Sequence, residues 1–240
     1  MTLLYICLNG QIGIERDSRL VTTLTLDSSW KDRHVMTKAK YLIKATLLAL
    51  LLSTLSAPLA DAAMKSQTFS GTDDNVITIK SFKEAAIISA EYEGEDNFIV
   101  RPLDANGEQG FSWFNEIDSW SGTVYQAPST KAWAGFSVET IGLWKITISP
   151  ISAAPQVNSK KFSGSGVKVV KFSSASKGLK RATISHSGES NFVVLPIESS
   201  GKRKFSMVNE IGNYSGTTLL PQGTRYLAIV ADGDWTVSIK

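Results

Sequence analysis

Short hydrophobic runs separated by turn residues make up most of the chain after residue 63. Within these runs apolar and polar residues tend to alternate, which puts every second side chain on the same face of a β-strand. Strands are predicted at VITIKSF (76–82), NFIVRPL (97–103), GFSWFNEI (110–117) and LWKITIS (143–149). Several short strands, with turns about every 8–12 residues, predict an all-β fold of antiparallel β-sandwich type, either jelly-roll or immunoglobulin-like.

Two details sharpen this prediction. Trp144 and Trp235 each begin an alternating apolar face, so both are predicted to lie in the core. The segment SFKEAAIISA (81–90) has a pattern that a helix could also explain, but its counterpart SSASKGLKRATIS (173–185) lacks that pattern. No helix is therefore predicted here. The Asn-Gly pair in LDANGE (103–108) predicts a hairpin turn.

The chain contains one segment of sequence twice. The matching pairs are GEDNFIV with GESNFVV, FSWFNEI with FSMVNEI, NEIDSWSGTV with NEIGNYSGTT, and WKITI with WTVSI. The spacing from Asn97 to Asn115 equals the spacing from Asn191 to Asn209, so the central part has no insertion. We predict two β-sandwich repeats in tandem.

The boundaries of these repeats follow from composition. PISAAPQVNS (150–159) is bounded by proline and rich in small residues, as a short linker is. The first repeat is predicted at 63–150 and the second at 151–240. Because two copies are too few to cover the faces of a solenoid, we expect each repeat to close as its own sandwich.

Residues 36–62 have the pattern of a secretory signal peptide. Three lysines precede the apolar run ATLLALLLSTLSAPLA, and an A-x-A site predicts cleavage between Ala62 and Ala63. The run is short and interrupted, so the mature chain is predicted to have no transmembrane segment. Residues 1–35 are interpreted as an upstream mis-start. They hold the single cysteine, Cys7, so the mature chain is predicted to have no disulfide.

Charge is divided unevenly between the repeats. Residues 63–150 hold 6 Lys and Arg against 12 Asp and Glu, a net −6, whereas residues 151–240 hold 12 against 5, a net +7. The basic residues concentrate at KK (160–161), KVVK (168–171), KGLKR (177–181) and GKRK (201–204). This asymmetry favours an anionic partner for the second repeat, or association between repeats or between molecules. The alternative is a solvated face with no partner.

Residues suited to catalysis or metal binding are scarce. The mature chain has one histidine, His186, and no serine in a G-x-S-x-G context. Glu116 and Glu210 supply one repeated carboxylate per sandwich, whereas glycoside hydrolysis needs two in one cleft. GTDDN (71–75) and DGD (232–234) cluster oxygen donors, but neither cluster is repeated. We expect no catalysis, cofactor or zinc site, and calcium is not favoured.

The repeated decapeptide is the best candidate for a ligand site. Its candidate residues are Asn115, Glu116 and Trp120 in the first repeat and Asn209, Glu210 and Tyr214 in the second. In a ligand interpretation, the aromatic ring stacks on a sugar while Asn and Glu bind hydroxyl groups. In a structural interpretation, the Asn amide bonds backbone, Ile117 or Ile211 fills the core, the ring covers a sandwich edge, and Gly122 or Gly216 forms a turn. We favour the structural interpretation, because the repeat preserves small residues as faithfully as polar ones.

The motifs NFVVLPIESSG (191–201), NEIGNYSGTT (209–218) and DGDWTVSI (232–239) carry a family resemblance. The chain resembles a small β-sandwich module of bacterial secreted proteins and, more loosely, the pre-peptidase C-terminal class of domains. The resemblance covers both repeats, although the first departs from it at Asp118 and Trp120. It implies a β-sandwich fold and an extracytoplasmic location, and it implies no activity.

These observations lead to one functional hypothesis and two alternatives. We predict a non-catalytic, secreted or periplasmic binding module whose second repeat contacts an anionic envelope component or glycan. Lys202, Arg203 and Lys204 are the candidate contacts of the basic loop. The first alternative is a structural protein that self-associates through its oppositely charged repeats, and the second is a small hydrolase. Nucleic acid is not expected, because the chain has a secretory signal and no nucleic-acid motif.

Overall fold

The computed structural model describes residues 64–240 and, nearer the N-terminus, the backbone of three short strands. These strands, β1 (Leu3–Cys7), β2 (Gln11–Glu15) and β3 (Thr22–Leu24), pair antiparallel in one sheet. They belong to a unit, Met1–Ala62, that is separate from the unit Ala63–Lys240. The predicted signal peptide and its cleavage site lie outside the described residues. Among the described residues, no helix is long and apolar enough to cross a membrane.

The first sandwich consists of eight antiparallel strands in two sheets. The strands are β4 (Gln67–Thr72), β5 (Asn75–Phe82), β6 (Ala86–Glu93), β7 (Asn97–Asp104), β8 (Phe114–Ile117), β9 (Trp120–Gln126), β10 (Trp133–Glu139) and β11 (Leu143–Pro150). One sheet has the order β5-β10-β7-β8 and the other β4-β11-β6-β9. Phe98, Phe136 and Ile146 are among the side chains buried between them.

The second sandwich follows a short linker and repeats this plan. The linker holds a 3₁₀ turn, η1 (Ile151–Ala153), and strand β12 (Gln156–Val157). The strands that follow are β13 (Lys161–Ser165), β14 (Lys168–Phe172), β15 (Lys180–Ser187), β16 (Asn191–Glu198), β17 (Val208–Ile211), β18 (Tyr214–Leu220), β19 (Thr224–Val230) and β20 (Asp234–Ile239). The sheets have the orders β12-β14-β19-β16-β17 and β13-β20-β15-β18. Apart from β12, which pairs parallel to β14, the strand order is the same in both sandwiches. The predicted all-β sandwich fold is confirmed.

The two core tryptophans are confirmed at equivalent places. Trp144 and Trp235 are both buried between the sheets of their sandwiches. Each indole N–H donates a hydrogen bond to a turn carbonyl, from Trp144 to Asp73 at 3.1 Å and from Trp235 to Gly166 at 3.0 Å. Each tryptophan therefore fills its core and also fixes the turn by which the chain passes from the first strand of the repeat to the second, in the other sheet.

One predicted strand is shorter than expected. The prediction of 110–117 was wrong in its first half, because the strand begins only at Phe114. Trp113 and Phe114 are consecutive and both lie in the core of the first sandwich, which a regular strand does not allow because its neighbouring side chains point to opposite faces. The chain therefore leaves the regular strand geometry before Phe114, and Phe111 is fully exposed, at 100%.

The two sandwiches pack on each other through the outer faces of two sheets. The first contributes the sheet that contains β6 and β9, and the second contributes β14, β16 and β19. The buried residues of this interface are Ala85, Ile87, Ile151, Ala154, Val169, Ile197, Tyr226 and Ala228, with Tyr125 and Leu195 packed against them. Together the four sheets form four layers with three apolar interfaces between them.

This interface explains the helix-like pattern at 81–90. Ile88 faces the core of the first sandwich, whereas its neighbour Ile87 faces the second sandwich. A strand that is buried on both faces has a continuous apolar sequence instead of an alternating one. In the equivalent strand β15 the outer face is exposed at Arg181 and Thr183, so that strand keeps the alternation.

Candidate functional site

The repeated decapeptide lies at one edge of each sandwich, where the chain passes from one sheet to the other. In the first sandwich the half-buried ring of Trp120 packs on Phe114, with ring centroids 5.2 Å apart. In the second, Tyr214 packs on Phe192 at 5.9 Å. The aromatic residue at this position therefore covers a sandwich edge, as the structural interpretation predicted.

The Asn and Glu of the decapeptide are not brought together. Glu116 pairs with the core residue Phe98 in the register of β7 and β8 and is half-buried, whereas Asn115 lies on the opposite face and is exposed. Burial raises the pKa of Glu116. The second repeat has the same register, with Glu210 opposite Phe192. Since Asn and Glu leave the strand on opposite faces, they cannot bind one ligand together with the ring.

Two details of the structural interpretation were wrong. Ile117 and Ile211 do not fill the cores, because they are 69% and 77% exposed at the ends of β8 and β17. Gly122 and Gly216 lie within strands β9 and β18 and form no turn. A Cβ atom at Gly216 would come 2.3 Å from the Tyr214 hydroxyl. The repeat keeps glycine here because the aromatic ring two residues earlier lies over it.

His186 has a structural setting in the second sandwich. Its ring stacks on Phe192 at 4.3 Å, as the ring of Tyr92 stacks on Phe98 at 4.7 Å. Nδ1 lies 2.8 Å from the Gly212 carbonyl, and Nε2 lies 3.3 Å from Asp232 Oδ1. The carboxylate of Asp232 also accepts hydrogen bonds from the backbone N–H groups of Glu189 and Ser190. These contacts join the turns at one end of the sandwich.

Asp232→Asn is expected to make stability less dependent on pH. Hydrogen bonds from Glu189 and Ser190, together with His186, hold the pKa of Asp232 below its ordinary value. A carboxylate with a lowered pKa stabilises the fold above its unfolded pKa of about 4, and that contribution is lost as the pH falls through the folded pKa. Urea denaturation at pH 7 and pH 3 should show a cost of the variant at pH 7 that is smaller at pH 3. The control is Asp234→Asn in the same turn, and an equal pH-dependent loss there would contradict the assignment.

The segment DANGE forms a hairpin turn. Asp104 Oδ1 accepts hydrogen bonds from the backbone N–H groups of Asn106 and Glu108, at 2.8 and 2.9 Å, and Gly107 has a φ of 80°. The predicted hairpin is confirmed. Within residues 64–240, no group of three or more His, Cys, Asp or Glu side chains is placed to hold a metal ion.

The basic loop that carries Lys202, Arg203 and Lys204 lies beside the interface between the sandwiches. The Tyr125 hydroxyl donates a hydrogen bond to the Gly201 carbonyl, and burial raises the pKa of Tyr125 to about 12. Lys204 forms an ion pair with Glu198 at 2.7 Å. The hydrogen bond from Lys204 holds the pKa of Glu198 below its usual range. Of the three predicted contacts, Lys202 and Arg203 remain exposed.

A cleft at the end of the second sandwich brings other basic residues together. Its volume is about 380 Å³, and it opens between the two sheets. Apolar side chains in its wall are Val157, Phe172, Leu220 and Ile239. Four exposed lysines also line it, namely Lys160, Lys177, Lys180 and Lys240, together with serines of the β14–β15 loop. Among the described residues, the ion pairs all involve other cations.

Hydrogen bonds fix the walls of this lysine cleft. The Ser176 hydroxyl donates to the Pro221 carbonyl at 2.7 Å and accepts from the Thr224 N–H at 3.0 Å. On the other side, the Ile239 N–H donates to the Lys160 carbonyl at 2.8 Å. The loop and the linker are therefore both anchored to strands, so that the cleft is formed without a ligand.

The first sandwich carries two tryptophans where the second has smaller side chains. Trp113 donates a hydrogen bond from Nε1 to Gln126 at 2.8 Å, and Trp133 packs against the same core. In the second repeat, the sequence match places Met207 at the position of Trp113, and Thr224 begins β19 as Trp133 begins β10. The two repeats therefore differ in the size of the side chains at these two positions.

The sequence signals for this cleft were partly visible. The clusters at 160–161 and 177–181 marked three of its lysines, but no pattern showed that they converge. Lys240 was not singled out, although it closes the same end through mutual backbone hydrogen bonds with Arg181.

Comparisons with known proteins give little further information. No family model matches the chain, and no curated protein does. Among solved structures, the crystal structure of PBSX exported protein XepA is a distant match, with 7% identity and a TM-score of 0.25. The match covers 76% of this chain and 89% of that chain.

Proposed function

We propose that the protein is a non-catalytic, extracytoplasmic binding module whose second sandwich holds an anionic ligand in the lysine cleft. The observation that carries the proposal is the arrangement of four lysines around an apolar floor. Ammonium groups attract phosphate or carboxylate, and an apolar floor accepts the carbon skeleton that bears them. An anionic envelope glycan or lipid headgroup has both features.

The charge distribution supports this proposal. The second repeat has a net charge of +7 from 12 basic and 5 acidic residues, and the repeats are joined by an apolar interface. Within residues 64–240 no ion pair crosses from one repeat to the other. The positive charge is therefore not neutralised by the first repeat and can attract an anion from solution. The extracytoplasmic location rests on the predicted signal peptide and on the resemblance to secreted modules.

A double charge reversal tests the cleft. Lys177→Glu with Lys180→Glu is expected to weaken binding roughly hundredfold, because each lost charged contact contributes about 1.4 kcal/mol or more. The probes are oligogalacturonate and phosphatidylglycerol vesicles, with a neutral mannan oligosaccharide and phosphatidylcholine vesicles for comparison. Titration at two salt concentrations should show binding of the anionic probes that weakens as salt rises.

The matched control is Lys161→Glu with Lys168→Glu, which makes the same change in net charge outside the cleft. We expect a loss of less than about threefold from it, as for long-range attraction alone. Lys202→Glu with Lys204→Glu tests the basic loop in the same way. If all three variants lost affinity for the anionic probes equally, binding would be explained by general attraction to a basic surface and not by the cleft. No binding of either anionic probe by the unaltered protein would refute the proposal.

A further inference from the structure

The interface inside the chain leaves two equivalent faces uncovered. The outer face of β6 and β9 in the first sandwich meets the outer face of β14, β16 and β19 in the second. By the repeat, the second sandwich has its own copy of the first face, on β15 and β18. The first sandwich likewise has its own copy of the second face, on β5, β7 and β10. Within residues 64–240, one face of each kind is thus left without a partner sheet.

These uncovered faces carry exposed apolar residues at the interface positions. Leu179 and Leu219 stand where the first repeat has Ala85 and Tyr125, and they are 72% and 53% exposed. Val76 stands at the position of Val169 and is 68% exposed. These apolar side chains point away from the core of their own sandwich. Their positions match those of residues that are buried between the two repeats.

The two repeats carry opposite net charges, which attract the basic repeat of one chain to the acidic repeat of another. One face belongs to the repeat with a net −6 and the other to the repeat with a net +7. On the basic face, Arg181 occupies the position of the interface residue Ile87. In the second repeat, a Cβ atom added at Gly201 would meet Ala85 of the first repeat. Gly107 is the equivalent residue of the acidic repeat, and a Cβ atom added there would meet no atom within 4 Å. Asp104 and Glu108 flank that open turn.

We infer that copies of this protein associate head to tail, with the β15–β18 face of one chain packed on the β5–β7–β10 face of the next. The contact repeats the arrangement that already joins the two sandwiches within one chain. Because the two faces differ, the interface is heterologous, and repeated contacts produce a ring or an open filament instead of a closed dimer. The linker residues Ile151 and Ala154 add to the internal contact only, so the contact between chains is the weaker of the two.

Two variants block the faces separately. Val76→Arg places a charge on the β5–β7–β10 face of the acidic repeat, and Leu219→Glu places one on the β15–β18 face of the basic repeat. Both positions are exposed, so the fold should be unaffected. Sedimentation equilibrium should show concentration-dependent association of the unaltered protein, weakened by salt, and monomers for each variant alone. An equimolar mixture of the two variants should associate at least into 1:1 dimers, because one pair of intact faces remains.

The double variant provides a rescue. A chain with both Val76→Arg and Leu219→Glu brings the new arginine opposite the new glutamate of the next chain and should regain association. Ile211→Glu is the control, because it changes an exposed apolar residue outside both faces and should associate normally. Monomers of the unaltered protein at every concentration, or a mixture of the two variants that stays monomeric, would overturn the inference. None of these substitutions alters a cleft lysine, so the result is independent of ligand binding.

Discussion

Trp235→Ala is expected to lower the free energy of unfolding by about 3–5 kcal/mol, the usual cost of removing a buried aromatic side chain from a core. The indole is buried between the sheets of the second sandwich and packs edge-on against Phe162 at 6.3 Å. It also lies close to Gly164, where an added Cβ would come 2.4 Å from the ring. Deletion therefore leaves a cavity that the glycine opposite cannot fill.

Two further substitutions separate the contributions of the tryptophan. Trp235→Phe keeps an aromatic ring but removes the hydrogen bond to the Gly166 carbonyl, which should cost about 1–2 kcal/mol in all. Tyr214→Ala removes a half-buried edge residue and should cost less than Trp235→Ala. Urea denaturation followed by circular dichroism measures all three. If Trp235→Ala cost no more than Tyr214→Ala, the assignment of the indole as the central core residue would be wrong.

Gly233→Ala should lower the free energy of unfolding by about 2–3 kcal/mol, which is at the upper end of the usual cost of adding atoms to a closely packed site. A Cβ at this position would lie 1.8 Å from the Ser187 carbonyl oxygen and 3.1 Å from the Gly188 Cα. Both are backbone atoms, so relief requires the end of β15 to move. The same movement would disturb the nearby contacts of His186 and Asp232.

The control for Gly233→Ala is Gly223→Ala. Gly223 has a φ of 84° but no atom within 4 Å of its Cβ direction, so the substitution adds backbone strain without a clash. We expect a cost of about 1 kcal/mol from it. A larger effect at Gly223 than at Gly233 would show that the close approach of Gly233 to Ser187 and Gly188 is not present in solution.

The sequence predicted the fold because the information for it is local. Alternation identified the strands, and the repeat identified which tryptophans, Trp144 and Trp235, belong to the same core position. The edge position of Trp120 and Tyr214 also followed from local pattern. Ile117 and Ile211 were assigned wrongly because apolar character alone does not tell on which side of an edge strand a residue lies.

The lysine cleft and the internal interface could not be predicted in the same way. Both depend on which sheet faces meet, and the alternation of apolar and polar residues along a strand does not show this. The strand at 86–93 shows this well. Its continuous apolar sequence indicates a second buried face, but the same pattern also resembles that of a helix. The cleft brings together Lys160, Lys177 and Lys240, which are far apart in the sequence and converge only when the sheets are in place.

The linker strand β12 has a consequence for how the molecule bears mechanical force. It pairs parallel with β14 through Gln156 and Val157, while the Lys171 ammonium donates to the Ser152 carbonyl at 2.6 Å. A force on the first sandwich along the direction of β12 acts on all of these hydrogen bonds at once, in shear. A force perpendicular to β12 breaks them one after another. Resistance to tension should thus depend on direction, and the chain would extend most easily when the two sandwiches are peeled apart sideways.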